Sequence, residues 1–324
     1  MSKYLPLVSI GIPTLNRAES YFREALESAL NQDYANLEII ISDNCSDDGT
    51  EDLVEKFRRE DNRIKYHRHK ERISLNDNFN FCIKKASGKY FLLLHDDDLI
   101  DNDHISSCIR GVNSNKEVGI IRTGVRVIDP EGQILYEVKS NGQELSPHEF
   151  FLSWFNYLDN SVPIYYCNTL FNTNKLKQIG GLNSKKNLYQ EGVAIAKLIS
   201  RFKHVDISDI KASYRIHNKK FSINEAKLED WCDDSLYFLN IICENSDKNK
   251  ELLRSVGKNY FNKRCYLRAD QINSNFGKFK AYYLVYKKFN YCYSPIKYKY
   301  LLASKKFNII SRKFKRKVNY CLGR

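Results

Sequence analysis

Apolar positions in the first third of the chain follow two alternating periods. The runs "LVSIGIP", "LEIIISD", "RIKYHRH" and "KYFLLLH" are short, and three are strongly apolar; they read as strands, three of them closed by Pro13, Asp43 and His95. Between them the apolar residues take helical spacing. Phe22, Ala25, Leu26, Ala29 and Leu30 form one stripe, and Leu53, Val54 and Phe57 a second. A third helix, "SLNDNFNFCIKKA", opens on Ser74, a residue type that caps helix N-termini. This alternation predicts an α/β fold, a mostly parallel sheet with helices on both faces. Ligands in such sheets sit beyond the C-terminal strand ends. Pro13–Arg17, Asp43–Ser46 and His95–Asp98 therefore share one edge of the molecule.

The pattern changes after Val118. "VGIIRTGVRVIDPEGQIL" reads as strands joined by a turn at Asp129–Gly132. "SPHEFFLSWFNYL" reads as a helix and "PIYYCNTLFN" as a strand. Gly180-Gly181 marks a turn, "YQEGVAIAKLISRF" a helix, and "KHVDIS" and "ASYRIH" two short strands. Beyond about Leu228 the chain is helical, Tyr-rich and basic. The expected division is a domain over 1–227 and a helical basic region over 228–324.

Charge follows that division. The 324 residues carry a formal charge of +13, yet Glu251 to Arg324 holds 19 Lys and Arg against only Glu251 and Asp270, so the basic character belongs to one end. The nine cysteines are scattered without a C-x-x-C pair, which argues against a disulfide framework or a structural zinc site. "MSKYLPLVSIGIP" runs directly into a strand, and no apolar run approaches the ~18–20 residues of a membrane span. A cytoplasmic protein is expected.

The chemistry concentrates at the fourth strand end. Asp96, Asp97 and Asp98 follow an apolar strand directly. One such aspartate could cap the next helix, as Asp98 or Asp101 could here. Three carboxylates beside a core repel one another and lose hydration, and a divalent cation relieves both costs. Mn2+ and Mg2+ take hard oxygen ligands together with substrate phosphates. Asp43 stands at a second strand end, where a carboxylate can accept from a base N–H or sugar hydroxyls. The first strand end, "IPTLNR", lacks G-x-G-x-x-G, and no Walker A sequence occurs, which disfavours an ordinary NAD or ATP site.

These segments, "VSIGIPTLNRAESYFREALESALNQDYANLEIIISDNCSDDGT" and "ASGKYFLLLHDDDLI", resemble family 2 glycosyltransferases with the GT-A fold. The resemblance covers roughly residues 5–135 and, more thinly, 160–225. It implies a nucleotide-sugar half over about 1–135 and an acceptor half over about 136–227. Pro13, Thr14, Asn16 and Arg17 then line the pocket for base and ribose. Asp43 reads the base, usually uracil, Asp96 meets the ribose and Asp97 the metal. Asp98 supports the site or caps a helix, and His95 stands where the family often has an aspartate. His217 in "YRIHNKKFS" approaches the metal or diphosphate, with Lys219, Lys220 and Ser222 beside it. The catalytic base lies after the Gly-Gly turn, often in an "ED" pair. Here Glu191 matches the glutamate and Gly192 replaces the aspartate, so Glu191 is either the base or a solvated acid in the first turn of a helix.

The resemblance thus implies metal-dependent, inverting transfer of a sugar, from a UDP-sugar by expectation, to a glycan or lipid-linked hydroxyl. Loss of the aspartate at Gly192 leaves a second reading, an inactive nucleotide-sugar-binding protein on the same fold. The C-terminal segment carries an apolar stripe at Tyr300, Ala303, Phe307, Ile310, Phe314 and Val318 among Lys and Arg. A basic amphipathic helix of that kind suits an anionic membrane surface; packing against the core is the alternative. Nucleic acid is not expected as a partner.

Overall fold

The computed structural model describes residues 5–112, 117–140, 142, 144–156, 163–217, 224–246 and 248–304, with Glu225 by its backbone alone. Lys219, Lys220 and Ser222, and the stripe positions from Phe307 onward, lie outside the described residues.

Four parallel strands form the N-terminal half of the sheet: β1 (Val8–Thr14), β2 (Leu37–Asp43), β3 (Ile64–Arg68) and β4 (Tyr90–Leu93). The helices α1 (Phe22–Leu30), α2 (Thr50–Glu60) and α3 (Leu75–Lys85) connect them in order. The Ser74 cap is present: its hydroxyl oxygen accepts from the Asp77 N–H at 3.1 Å. After β4 come β5 (Leu99–Ile100), α4 (His104–Gly111), β6 (Val118–Ile128), β7 (Ile134–Val138) and α5 (Pro147–Asn156). Then follow β8 (Thr169–Asn172), α6 (Thr173–Gln178), α7 (Gln190–Ile199) and β9 (Lys203–Arg215). The described strands form one sheet in the order β3-β2-β1-β4-β8-β6-β9-β5, with β7 paired to β6. β8 runs antiparallel to both β4 and β6, while β6 and β9 are parallel. The sheet is therefore mixed at its centre.

Strand period and two-sided burial explain each other. Phe91 and Leu93 point into one core with Ile40, Phe79 and Cys82; Tyr90, Leu92 and Leu94 point into the other with Ile10, Ile39 and Phe22. Gly11 faces the first core, where a β-carbon would meet the Phe91 ring at 2.8 Å, so close helix-to-sheet packing requires glycine there.

Two expected elements come out differently. "PIYYCNTLFN" is strand only from Thr169, because Tyr165 and Tyr166 turn aside to line a cavity and Asn168 Nδ2 donates instead to the Thr123 carbonyl at 2.9 Å. "KHVDIS" and "ASYRIH" are one 13-residue strand, β9, whose pairing with β6 shifts register between Arg122 and Gly124.

The chain continues into α8 (Glu225–Glu244), α9 (Lys250–Ala269) and α10 (Asn275–Lys288), and a further helical stretch over 295–304. Leu228, Phe238, Phe261 and Val285 from these helices share the Phe91 core. That shared burial fixes α8 over α7, and α9 over α8 and α5. Asp234 in α8 is fully buried and accepts from Ser184 Oγ at 2.6 Å, the Lys186 N–H at 2.9 Å and the Leu188 N–H at 2.8 Å. It thereby clamps the loop that leads into α7. None of the described helices is long and apolar enough to cross a membrane.

Candidate functional site

The first two strand-end loops are tied to each other. Asn16 adopts a left-handed conformation (φ 52°), which asparagine tolerates, and its carboxamide exchanges two bonds with Asp47: Nδ2 to Oδ1 at 2.6 Å, and Asp47 N–H to Oδ1 at 2.9 Å. Asp43 has no exposed surface. Its Oδ1 accepts from Ser46 N–H at 2.9 Å and Ser46 Oγ at 2.5 Å, and its Oδ2 from the Tyr66 hydroxyl at 2.6 Å. Asn16 and Asp43 thus hold the first two strand-end loops in shape. Pro13 and Thr14 close β1, and the Thr14 hydroxyl donates to Asp96 Oδ2 at 2.9 Å, with Arg17 Nε 3.7 Å from the same oxygen. These contacts favour the Asp96 carboxylate, but burial and the neighbouring Asp97 outweigh them and raise its pKa to about 6.

The acidic loop holds three donors close together. One ring nitrogen of His95 and one carboxylate oxygen each of Asp97 and Asp98 lie within 4.8 Å of one another. His95 is wedged between Phe79 and Tyr166, with ring centroids at 5.1 and 4.9 Å, and burial lowers its pKa, so the imidazole is neutral. Its Nε2 is buried and has no hydrogen-bond partner among the described residues. Burial, and next the charge of Asp97, push the Asp98 carboxyl well up. Neutral imidazole, two crowded carboxylates and an orphaned ring nitrogen are a donor set fitting a divalent cation.

The end of β9 holds this loop in place. Arg215 N–H donates to Asp98 Oδ1 at 3.0 Å, and Arg215 Nε to the Asp97 carbonyl at 2.9 Å. His217 Nε2 lies 2.7 Å from Asp97 Oδ2. Asp98 therefore caps no helix, and neither does Asp101, whose carboxylate pairs with Arg126 at 2.6 Å.

His95 and Asp98 also line a cavity of about 280 Å³, as do Glu191 and Gly192 at the start of α7. Burial raises the Glu191 carboxyl to about 7. The Tyr166 hydroxyl faces that carboxyl without reaching hydrogen-bond geometry. Tyr165 and Tyr214 stack at 4.0 Å in the wall, and α8 and α9 close it with Trp231, Arg264 and Arg268. Glu191 stands there through a local device: Gly180 and Gly181, at φ 90° and 77°, end α6, and the Leu182 N–H docks on Asn80 of α3 at 2.9 Å.

An acidic loop beside a cavity with one carboxyl near neutrality agrees with what comparison finds. Residues 9–180 match glycosyl transferase family 2. The chain belongs to that family. An uncharacterized glycosyltransferase of Rickettsia typhi is 37% identical over 179 residues, 55% of this chain and 54% of that protein. The GalNAc(5)-diNAcBac-PP-undecaprenol beta-1,3-glucosyltransferase of Campylobacter jejuni is 31% identical over 157 residues, 47% of this chain and 50% of that protein. The chain spans about half the length of these curated relatives. Among solved structures, S. aureus TarS 1-349 in complex with UDP-GlcNAc superposes with a TM-score of 0.63 at 15% identity, over 92% of each chain. That likeness is one of fold, the GT-A type expected from the motifs.

Of the expected site residues, the structure brings His217 and Asp97 together at the acidic loop and sets Glu191 in the wall of the cavity that His95 and Asp98 also line. The sequence singled out neither Tyr166 nor Arg215, nor His95 as a donor. His95 was legible as a departure in "LHDDD", but its unpartnered nitrogen is visible only in three dimensions. Tyr166 carried no signal, because it lies in a segment whose apolar run imitates a strand.

Proposed function

We propose that the chain transfers a sugar from a nucleotide sugar, a UDP-sugar by this reading, to a hydroxyl of a glycan or lipid-linked acceptor with inversion. The observation that carries it is the shared cavity: His95 and Asp98 of the donor set line it, and Glu191, raised to about 7, stands in the same wall. The donor's nucleotide lies over Pro13, Thr14, Arg17 and Asp96, with Asn16 and Asp43 supporting that floor. His95, Asp97 and Asp98 would hold Mn2+ or Mg2+, with His217 fixing Asp97; such an ion supplies charge neutralisation for the diphosphate leaving group.

Glu191 takes the proton of the acceptor hydroxyl. A base titrating near neutrality combines availability with strength. The hydroxyl oxygen forms its bond to the anomeric carbon as the bond to the diphosphate oxygen breaks on the opposite face. Arg215 orients Asp97 and Asp98 without meeting substrate. The TarS complex holds UDP-GlcNAc, and the Campylobacter relative is named for a polyprenyl-diphosphate acceptor; both support this donor and acceptor class.

Residues 1–227 form the catalytic unit and 228–324 the appended helices in this reading, which works at the cytoplasmic face of a membrane. Phe276, Phe279, Tyr283, Ile296 and Tyr300 are all more than half exposed, among Lys278, Lys280, Lys297 and Lys299, a composition suited to anionic lipid. The test is transfer from UDP-GlcNAc and other UDP-sugars to a polyprenyl-diphosphate-linked sugar. Product formed by the native chain and lost in Glu191→Gln supports the proposal. Equal, negligible turnover with intact UDP binding favours an inactive nucleotide-sugar-binding protein.

A further inference from the structure

Two buried polar atoms in the wall of the cavity that holds Glu191 have no hydrogen-bond partner among the described residues: His95 Nε2 and the Tyr166 hydroxyl. The first belongs to the donor set for a cation. The second has no part in it. Tyr166 is 7% exposed, and a buried hydroxyl left without a partner is destabilising. Packing keeps it from turning away to find one. Its ring meets Phe79 edge-on at 5.7 Å and lies against His95 at 4.9 Å, and its carbonyl accepts from the Thr169 N–H at 3.1 Å. The hydroxyl is thereby held facing the Glu191 carboxyl, short of hydrogen-bond geometry. Its neighbours in the wall are placed differently. Tyr165 stacks on Tyr214 at 4.0 Å with its hydroxyl directed at Tyr136, and the Tyr189 hydroxyl accepts from Ser235 Oγ at 3.4 Å.

A cavity of about 280 Å³ is at the small end for ligand sites and suits one sugar ring rather than a chain of them. Trp154, Tyr214 and Trp231 in its wall offer aromatic faces, whose negative charge attracts the C–H bonds of a pyranose. An ionised Glu191 only accepts hydrogen bonds, whereas a phenol both donates and accepts. The two groups therefore suit two different hydroxyls of one ring. Adjacent hydroxyls of a pyranose are close enough together to meet a carboxylate and a phenol that face each other. We infer that Tyr166 is an acceptor-binding residue, whose hydroxyl bonds the sugar hydroxyl adjacent to the one that Glu191 deprotonates. This rests on the reading of the cavity as the acceptor site. The second contact stops the ring from rotating about the first, so the reacting oxygen keeps its aim at the anomeric carbon. The acceptor class it selects is a sugar with two adjacent free hydroxyls.

Initial rates of transfer by the full chain test this, with Mn2+ and UDP-glucose or UDP-GlcNAc as donor. The acceptors are polyprenyl-diphosphate-linked N-acetylgalactosamine, the sugar in the name of the Campylobacter relative, and its 3-deoxy, 4-deoxy and 6-deoxy forms. Of the 3-deoxy and 4-deoxy forms, one lacks the attacked hydroxyl and gives no product. The other lacks its neighbour and should lose about tenfold in kcat/KM with the native chain, while the 6-deoxy form loses nothing. Tyr166→Phe should lose about as much on the full acceptor and nothing further on that deoxy form, since both changes remove one bond. Tyr165→Phe, a phenol lost from the same wall, should keep the deoxy penalty. Unchanged UDP affinity in both variants shows that they fold. A penalty absent from the native chain, or one that survives Tyr166→Phe, overturns the inference and leaves the transfer reading standing. So does attack through the 6-hydroxyl, which has no adjacent hydroxyl. A Tyr166→Phe chain slowed equally on every acceptor assigns the phenol to Glu191 alone and overturns the inference as well. A native chain that transfers to none of these acceptors overturns the acceptor reading, and this inference with it.

Discussion

A β-carbon at Gly192 would stand 2.4 Å from the ring of Phe238. The position where the family often carries an aspartate is thus filled from outside by α8. Restoring the aspartate cannot restore a second carboxylate without displacing a fully buried ring. Gly192→Asp should cost about 1–3 kcal/mol in chemical denaturation, by overpacking, and raise no activity. Phe238→Ala alone opens a cavity and costs about 3–5 kcal/mol. The double variant should cost clearly less than the sum, because each change relieves the other.

Glu191→Gln should lower turnover by about 10²–10⁴-fold while leaving UDP affinity unchanged. In the native chain, kcat/KM should rise with pH through about 7, the value to which burial raises Glu191, and level above it. The stability sign is opposite. The folded pKa lies above the unfolded one, so the folded state binds the extra proton, and the stability of the native chain falls as pH rises from about 4.5 through 7. Glu191→Gln removes that dependence and should be more stable than the native chain at pH 8, on the order of 2 kcal/mol. Thermal melts across pH check it.

His95 departs from the carboxylate that relatives often carry, and an imidazole prefers transition metals to Mg2+. His95→Asp should therefore shift activation from Mn2+ toward Mg2+. His95→Ala should weaken Mn2+ binding about 10–100-fold, the range typical for losing a metal-site residue. Titration calorimetry with each ion reads both. A metal preference indifferent to position 95 removes His95 from the donor set.

Exposed Phe279, Tyr283 and Ile296 should seat the C-terminal helices on anionic lipid. Flotation with phosphatidylglycerol vesicles should show binding that weakens with salt and is lost when all three become alanine. Equal binding to neutral vesicles would exclude the electrostatic part, and its persistence in the triple variant the apolar part.

Much of the fold was legible because β1 to β4 and their helices carry their periods locally: Ile10, Ile39 and Leu92 repeat on one face of the sheet, and Phe22 and Leu26 supply the helix that covers them. The second half was harder. Its sheet order depends on β8 inserting antiparallel between β4 and β6, a long-range pairing with no local signature. The acidic loop was visible as consecutive aspartates, but which of them meets solvent was not. Asp98, at 1% exposure, takes a backbone N–H from a strand more than a hundred residues away. The bonds that tie Asn16 to Asp47 and Asp43 to Ser46 and Tyr66 were not legible, because they depend on the folded loops.

In the proposed reaction a nucleotide diphosphate and a divalent cation meet at the acidic loop. Calorimetric titration of UDP into the native chain and into Asp97→Asn, each with Mn2+ and with EDTA, addresses it most directly. The account predicts UDP binding that requires Mn2+ and weakens at least about tenfold in Asp97→Asn. UDP binding that is the same with EDTA, or unaltered by Asp97→Asn, would contradict it.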